Sequence, residues 1–126
     1  MKSFLLALCL ISGVSLFAQT DIQFKETKHS FGKIKKNVPA TYTFTFTNNA
    51  NKPVVIEFAN AECGCTTPIY PKAPIAKGKT GTIQVTYNAA TMGTFKKNVD
   101  VKFVHSNQPY TLTIDGEVVE PKTKTK

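Results

Sequence analysis

The chain has 126 residues and a formal net charge of +8, with 16 basic residues, all of them lysine, against eight acids. That length holds one domain with one core. The charge invites a nucleic-acid or anionic-surface reading, but a chain without arginine lacks the side chain suited to bidentate phosphate contacts. The lysines are scattered, apart from Lys33-Lys35-Lys36 and Lys122, Lys124 and Lys126, so they read as a solubilising surface and no nucleic-acid partner is expected.

Met1-Lys2-Ser3 carries one positive charge, and the apolar run Phe4 to Ile11 follows, continuing through Val14, Leu16 and Phe17 to Ala18-Gln19. This is the layout of a secretory signal peptide over residues 1–18, cleaved after Ala18. The run is broken by Ser12, Gly13 and Ser15 and falls short of the about 20 apolar residues of a membrane span. It has no polar face, unlike a surface helix of the folded domain. Leu8, before Cys9, is too large for a lipoprotein processing site. Export to the periplasm or beyond is therefore expected, with no transmembrane segment in the remaining chain. Thiols there tend to be oxidised. Cys9 leaves with the signal, and the even pair Cys63 and Cys65 remains.

Strand signals fill the rest. Ile22 and Phe24 begin a strand that Phe31-Gly32-Lys33-Ile34 continues or kinks. In Thr41 to Thr47 rings and threonines alternate, placing Tyr42, Phe44 and Phe46 on one face. Such residues suit the pleated surface. Asn48 to Pro53 reads as a turn, and Val54, Ile56 and Phe58 resume the two-residue rhythm. It returns in Ile83, Val85, Tyr87; in Val99, Val101, Phe103; and in Tyr110, Leu112, Ile114. The breaks are Lys77-Gly78-Lys79, Asn88 to Gly93 and Ser106 to Pro109. No window after the signal has a helical period. About seven short strands with regular turns predict an all-β, immunoglobulin-like antiparallel β-sandwich over residues 19–119, with a small closed barrel as the competing architecture. Residues 120–126 read as a lysine-rich disordered tail.

Three stretches carry a family resemblance: Tyr42 to Asn48 running into Pro53-Val54-Val55-Ile56; Cys63-Gly64-Cys65-Thr66-Thr67-Pro68; and Lys77 to Thr80 through Tyr87-Asn88 to Gly93-Thr94-Phe95. The ending Leu112 to Val118 fits the same template. Together they resemble an exported bacterial family of unknown function with a Cys-Gly-Cys-Thr signature, similar to immunoglobulin-like domains of the ASPM/SPD-2/hydin and major-sperm-protein type. The resemblance implies the sandwich and an envelope location, and no reaction. Lys77-Gly78 stands where such domains more often carry Pro-Gly.

The chemistry-bearing motif is Cys63-Gly64-Cys65. Cysteines two apart can close a small ring if the backbone bends, with Gly64 easing the bend. Loop entropy assigns such a ring only about 1.6 kcal/mol, so a bridge there fixes a loop. Redox exchange is a second reading, opposed by Glu62, whose charge raises a neighbouring thiol pKa. Metal is a third, with His29, His105 and Met92 as further ligands for Cu(I) or Zn(II); His105 shares the core-facing parity of Val101 and Phe103. No cofactor is expected, and no nucleophile–base constellation or phosphate loop is present. A carbohydrate role lacks Trp and an aromatic platform. The expected function is a non-catalytic, protein-binding or structural module meeting another envelope protein, with the connection Glu62–Pro74 as its first candidate surface. The alternative is thiol-disulfide or Cu/Zn handling at the same pair.

Overall fold

A computed structural model describes residues 21–121. The expected signal peptide and the lysines of the expected tail lie outside the described residues. Within them the chain is all-β: β1 (Ile22–Phe24), β2 (Lys28–Lys35), β3 (Ala40–Asn48), β4 (Ile56–Ala61), β5 (Thr66–Ile69), β6 (Thr80–Tyr87), β7 (Gly93–Phe103) and β8 (Tyr110–Val119). They form two four-stranded sheets, β1-β3-β6-β5 and β2-β8-β7-β4. The result is an immunoglobulin-like β-sandwich.

Alternation builds the core as the sequence predicts. Phe44, Phe46, Ile83, Val85 and Tyr87 from one sheet meet Val99, Val101, Phe103, Leu112 and Ile114 from the other, all buried. Phe46 is fully enclosed, its ring 5.2 Å from that of Phe103 and 5.5 Å from that of Phe24, centroid to centroid. Its cross-strand partner is Gly81, where a Cβ would overlap the Phe46 ring. Glycine is required there because the aromatic fills that volume.

Four local expectations are corrected. The first apolar segment is two strands: the chain pairs with β3 through Phe24, crosses at Lys25–Thr27 and joins the other sheet as β2. Arriving there from its neighbour's own direction, β2 lies parallel to β8, so the sandwich is not wholly antiparallel. The positive φ of Gly32, +68°, sits in the bulge between Ser30 and Lys33. Second, a bulge between Ile56 and Phe58 shifts the β4 rhythm, so Ala59 takes the buried place expected of Phe58. Third, His105 does not continue the inward row. β7 ends at Phe103, and His105, at φ +70°, is exposed in the turn that follows.

The fourth concerns the connection Glu62–Pro74, which contains β5. Asn88 N–H donates to Cys65 O, so Cys65, Thr67 and Ile69 turn their main chain to β6, and Thr66 and Pro68 turn theirs to the free edge. Proline lacks the amide that the edge would expose, and the Thr66 amide is taken by Cys63 O at 3.3 Å. The edge is thereby closed to further strands. At the opposite corner, the outward main-chain positions of β2 are Lys28, Ser30, Lys33 and Lys35, and their charges guard that edge.

Asn48, expected merely to open a turn, is a buried hub. Its Nδ2 donates to Lys52 O and to Ile75 O, both at 2.9 Å, and its Oδ1 accepts from Ala50 N–H at 2.9 Å. Its own main chain pairs with Gly78 N–H and Lys79 O. One side chain thus ties the β3–β4 and β5–β6 connections to the end of β3.

Candidate functional site

The Cys63-Gly64-Cys65 turn carries the chain from β4, an edge of one sheet, to β5, an edge of the other. The Cys63 and Cys65 sulfurs lie at disulfide distance, with their Cα atoms 5.3 Å apart, inside the range a bridge requires. Both residues are half-buried and Gly64 is exposed. Gly64 has no left-handed φ, and open space surrounds the place a Cβ would take, so the expected steric need for glycine is absent.

The neighbours of the turn are polar. Glu62 Oε1 accepts from Asn98 N–H at 2.9 Å, and Glu62 N–H donates to Asn98 O at 3.3 Å, docking the turn on β7. The Glu62 carboxylate is thus held by β7. The Thr66 hydroxyl, buried at the start of β5, lies 3.6 Å from Cys65 Sγ and 3.9 Å from Cys63 Sγ.

The other candidate ligands are not brought to this turn. His29 on β2 stacks on Tyr42 of β3, rings 3.6 Å apart and 5° from parallel. His105 sits in the β7–β8 turn, and Met92, exposed, in the β6–β7 connection. Among the described residues, no three or more His, Cys, Asp or Glu side chains gather as a metal-binding group, and no helix is long and apolar enough to cross a membrane. Two phenols are shifted: the Glu26 carboxylate accepting from Tyr42 pushes that hydroxyl up, and burial does the same to Tyr110. Neither belongs to the turn.

Sequence reasoning missed a second feature beside it. The strands of the β1-β3-β6-β5 sheet contain no charged residue, whereas those of the other sheet carry Lys28, Lys33, Lys35, Glu57, Lys96, Lys97, Asp100, Lys102, Asp115 and Glu117. The outward rows of the charge-free sheet are Gln23-Thr47-Thr80, Thr45-Thr82, Thr43-Gln84-Ile69 and Thr41-Thr86-Thr67. Thr41 and Thr86 hydroxyls meet at 2.8 Å. At the β5 end, Thr43, Thr82 and Gln84 border a shallow hollow with Ile69, Tyr70 and Pro71. Ile69 is 58% exposed, the most of any large apolar residue described. Its signal in sequence was available: three strand segments, 40–48, 66–69 and 80–87, free of charge in a lysine-rich chain.

Residues 22–118 match the family described as "Protein of unknown function (DUF1573)". The chain belongs to this family. That agrees with the resemblance read from the Cys-Gly-Cys-Thr segment and its flanking strands. No curated protein matches the sequence. The fold of this DUF1573 domain is similar to an ASH / PapD-like domain of human CEP192, PapD-like domain 7, with TM-score 0.70 and 9% identity over 82% of this chain and 88% of that one. It is similar to a protein of unknown function from Porphyromonas gingivalis, with TM-score 0.66 and 10% identity over 79% of this chain and 50% of that one. A third likeness is to the secreted serine protease VesC from Vibrio cholerae, with TM-score 0.63 and 12% identity over 83% of this chain and 24% of that one. This chain thus spans half of the second protein and about a quarter of the third. At such identities the likeness is one of fold, and the DUF1573 domain takes no activity from it.

Proposed function

We propose that the chain is an exported immunoglobulin-like module that binds another protein of the cell envelope through the charge-free face of the β1-β3-β6-β5 sheet. The observation that carries this reading is the separation of charge between the two sheets. Interface centres are depleted of charged residues, and lysine is costly to desolvate. A lysine-rich chain with no lysine in these four adjacent strands presents a surface that a partner can cover at low desolvation cost. Ile69 supplies an apolar anchor point beside the hollow, where Lys72 Nζ caps the Tyr70 ring at 3.8 Å from its centroid. Export rests on the residue 1–18 signal and on the oxidised pairing that an extracytoplasmic compartment would give Cys63 and Cys65.

The test uses the full chain in bacterial cells that carry its natural envelope partners. A photo-crosslinking residue is placed at Gln84, on the charge-free face, and in a second strain at Thr111, exposed on the charged sheet. A discrete crosslinked species is expected from position 84 and not from 111, in the envelope fraction, on a chain whose mass shows cleavage after Ala18. Ile69→Lys is expected to abolish that species while the circular dichroism spectrum stays that of a β-sandwich. Equal crosslinking from both faces, or an adduct indifferent to Ile69→Lys, would refute the surface. An uncleaved cytoplasmic chain would refute the compartment.

A further inference from the structure

The two buried threonines of the described residues differ in their partners. Thr113 donates its hydroxyl to Asn98 Oδ1 at 2.9 Å, an ordinary oxygen acceptor. The Thr66 hydroxyl, on a residue only 3% exposed, reaches Cys65 Sγ and Cys63 Sγ instead. A sulfur inside a disulfide is a weak acceptor, whereas a thiolate is an anion to which a hydroxyl donates strongly. A donor fixed in that place stabilises the reduced, ionised turn more than the oxidised one. It does so in a ring of one intervening residue, whose closure the fold scarcely needs.

We propose that Cys63-Gly64-Cys65-Thr66 is a thiol-disulfide exchange site that takes electrons from a dithiol, with the Thr66 hydroxyl holding the thiolate that leaves. The turn is open to such a substrate: both cysteines are half-buried rather than enclosed, Gly64 is exposed, and apart from the two cysteines themselves nothing stands within 4 Å of where a side chain at 64 would begin. Glu62, the neighbouring negative charge, is drawn to the Asn98 amide. The proposal does not depend on the protein-binding face.

The exchange balances as follows. A thiolate of the substrate attacks one sulfur of the Cys63–Cys65 bond. That bond breaks as an intermolecular disulfide forms, and the other cysteine leaves as a thiolate that accepts the Thr66 hydrogen bond. The second thiol of the substrate loses its proton to water and attacks the mixed disulfide, expelling the first cysteine. The substrate is oxidised by two electrons to its own disulfide, and both cysteine sulfurs take up protons from solvent. Thr66 is a positioning residue here, since it acts through the departing sulfur.

The purified full chain is equilibrated in glutathione buffers and with dithiothreitol, its thiols are trapped by alkylation, and the intact mass is read. The turn is expected to reduce while the protein stays folded. Thr66→Val, which keeps the shape and removes the hydroxyl, is expected to shift the equilibrium about tenfold toward the disulfide and to move the alkylation-rate profile to higher pH. Thr66→Ser is expected to restore both. If Thr66→Val does not fold, the wild-type profile decides the matter. Its thiols are expected to ionise at lower pH folded than in denaturant. Equal or higher ionisation when folded, reduction only upon unfolding, or a Thr66→Val variant indistinguishable from wild type would each overturn the proposal.

Discussion

Phe46→Ala is expected to lower the free energy of unfolding by about 3–5 kcal/mol, measured by urea or guanidinium titration of the sheet signal. The side chain is fully enclosed and touches both layers, through Phe103 of one sheet and Phe24 at the rim of its own. The loss exceeds simple transfer of a ring to water, because β3 and β6 are locked in register opposite Gly81 and cannot collapse into the space. Gly81 adds no atoms to fill it. A domain of this size is stable by about 5–15 kcal/mol, so the loss removes a large share of its stability. A change below about 1 kcal/mol would mean that the ring is not between the sheets.

Asn48→Ala is expected to cost about 3 kcal/mol, although it removes only a few atoms from a position that resembles a turn. Three hydrogen bonds disappear at once: the Lys52 carbonyl and the Ala50 amide lose their partner near the core, and the Ile75 carbonyl keeps only Val54 N–H. Asn48→Asp separates the causes. A carboxylate cannot donate to the two carbonyls, and its charge is buried against them, so its pKa in the folded state is raised above the unfolded value. A raised folded pKa means that the folded state binds the proton more tightly. The deficit of Asn48→Asp relative to wild type should therefore be complete above the raised folded-state pKa, shrink as pH falls through it, and level off once pH reaches the ordinary aspartate range. A deficit that does not vary with pH would show that the side chain is not buried among those carbonyls.

Much of the fold was legible because burial follows a two-residue period wherever a strand has one wet face. Phe44 and Phe46, Ile83 and Val85, Val99 and Val101, and Leu112 and Ile114 were all assigned to the core from that rhythm and are all buried. The rhythm fails where the backbone inserts a residue. The bulge in β4 exchanges Phe58 for Ala59, and no residue type in Ile56-Glu57-Phe58 announces it. It also fails where a chain leaves its sheet. Lys25–Thr27 has no turn signature, so the crossing from β1 to β2, and the parallel pairing that results, could not be read from composition. β5 was hidden by its own edge protection, since Pro68 argues against a strand unless its missing amide is known to face outward.

The candidate site was legible in part. The cysteine pair is plain in the sequence, but the role of the threonine beside it is a matter of distance, and that required the turn to be folded. Conversely, the candidate ligand set of His29, His105 and Met92 fails on distribution. One is stacked on Tyr42, and the others lie in separate connections. The charge-free face could have been found earlier. Separating the strands by charge needs only their boundaries, whereas recognising them as neighbours needs the sheet order.

In the proposed exchange the Cys63–Cys65 pair serves chemistry at the surface and does not brace the sandwich, and thermal and denaturant unfolding of the Cys63→Ser, Cys65→Ser double variant tests that most directly. A stability loss of no more than about 2 kcal/mol is expected, with an unchanged sheet spectrum, because a ring this small withdraws little entropy from the unfolded chain. A loss of about 4 kcal/mol or more, or a variant that does not fold, would contradict it and make the turn a structural clasp.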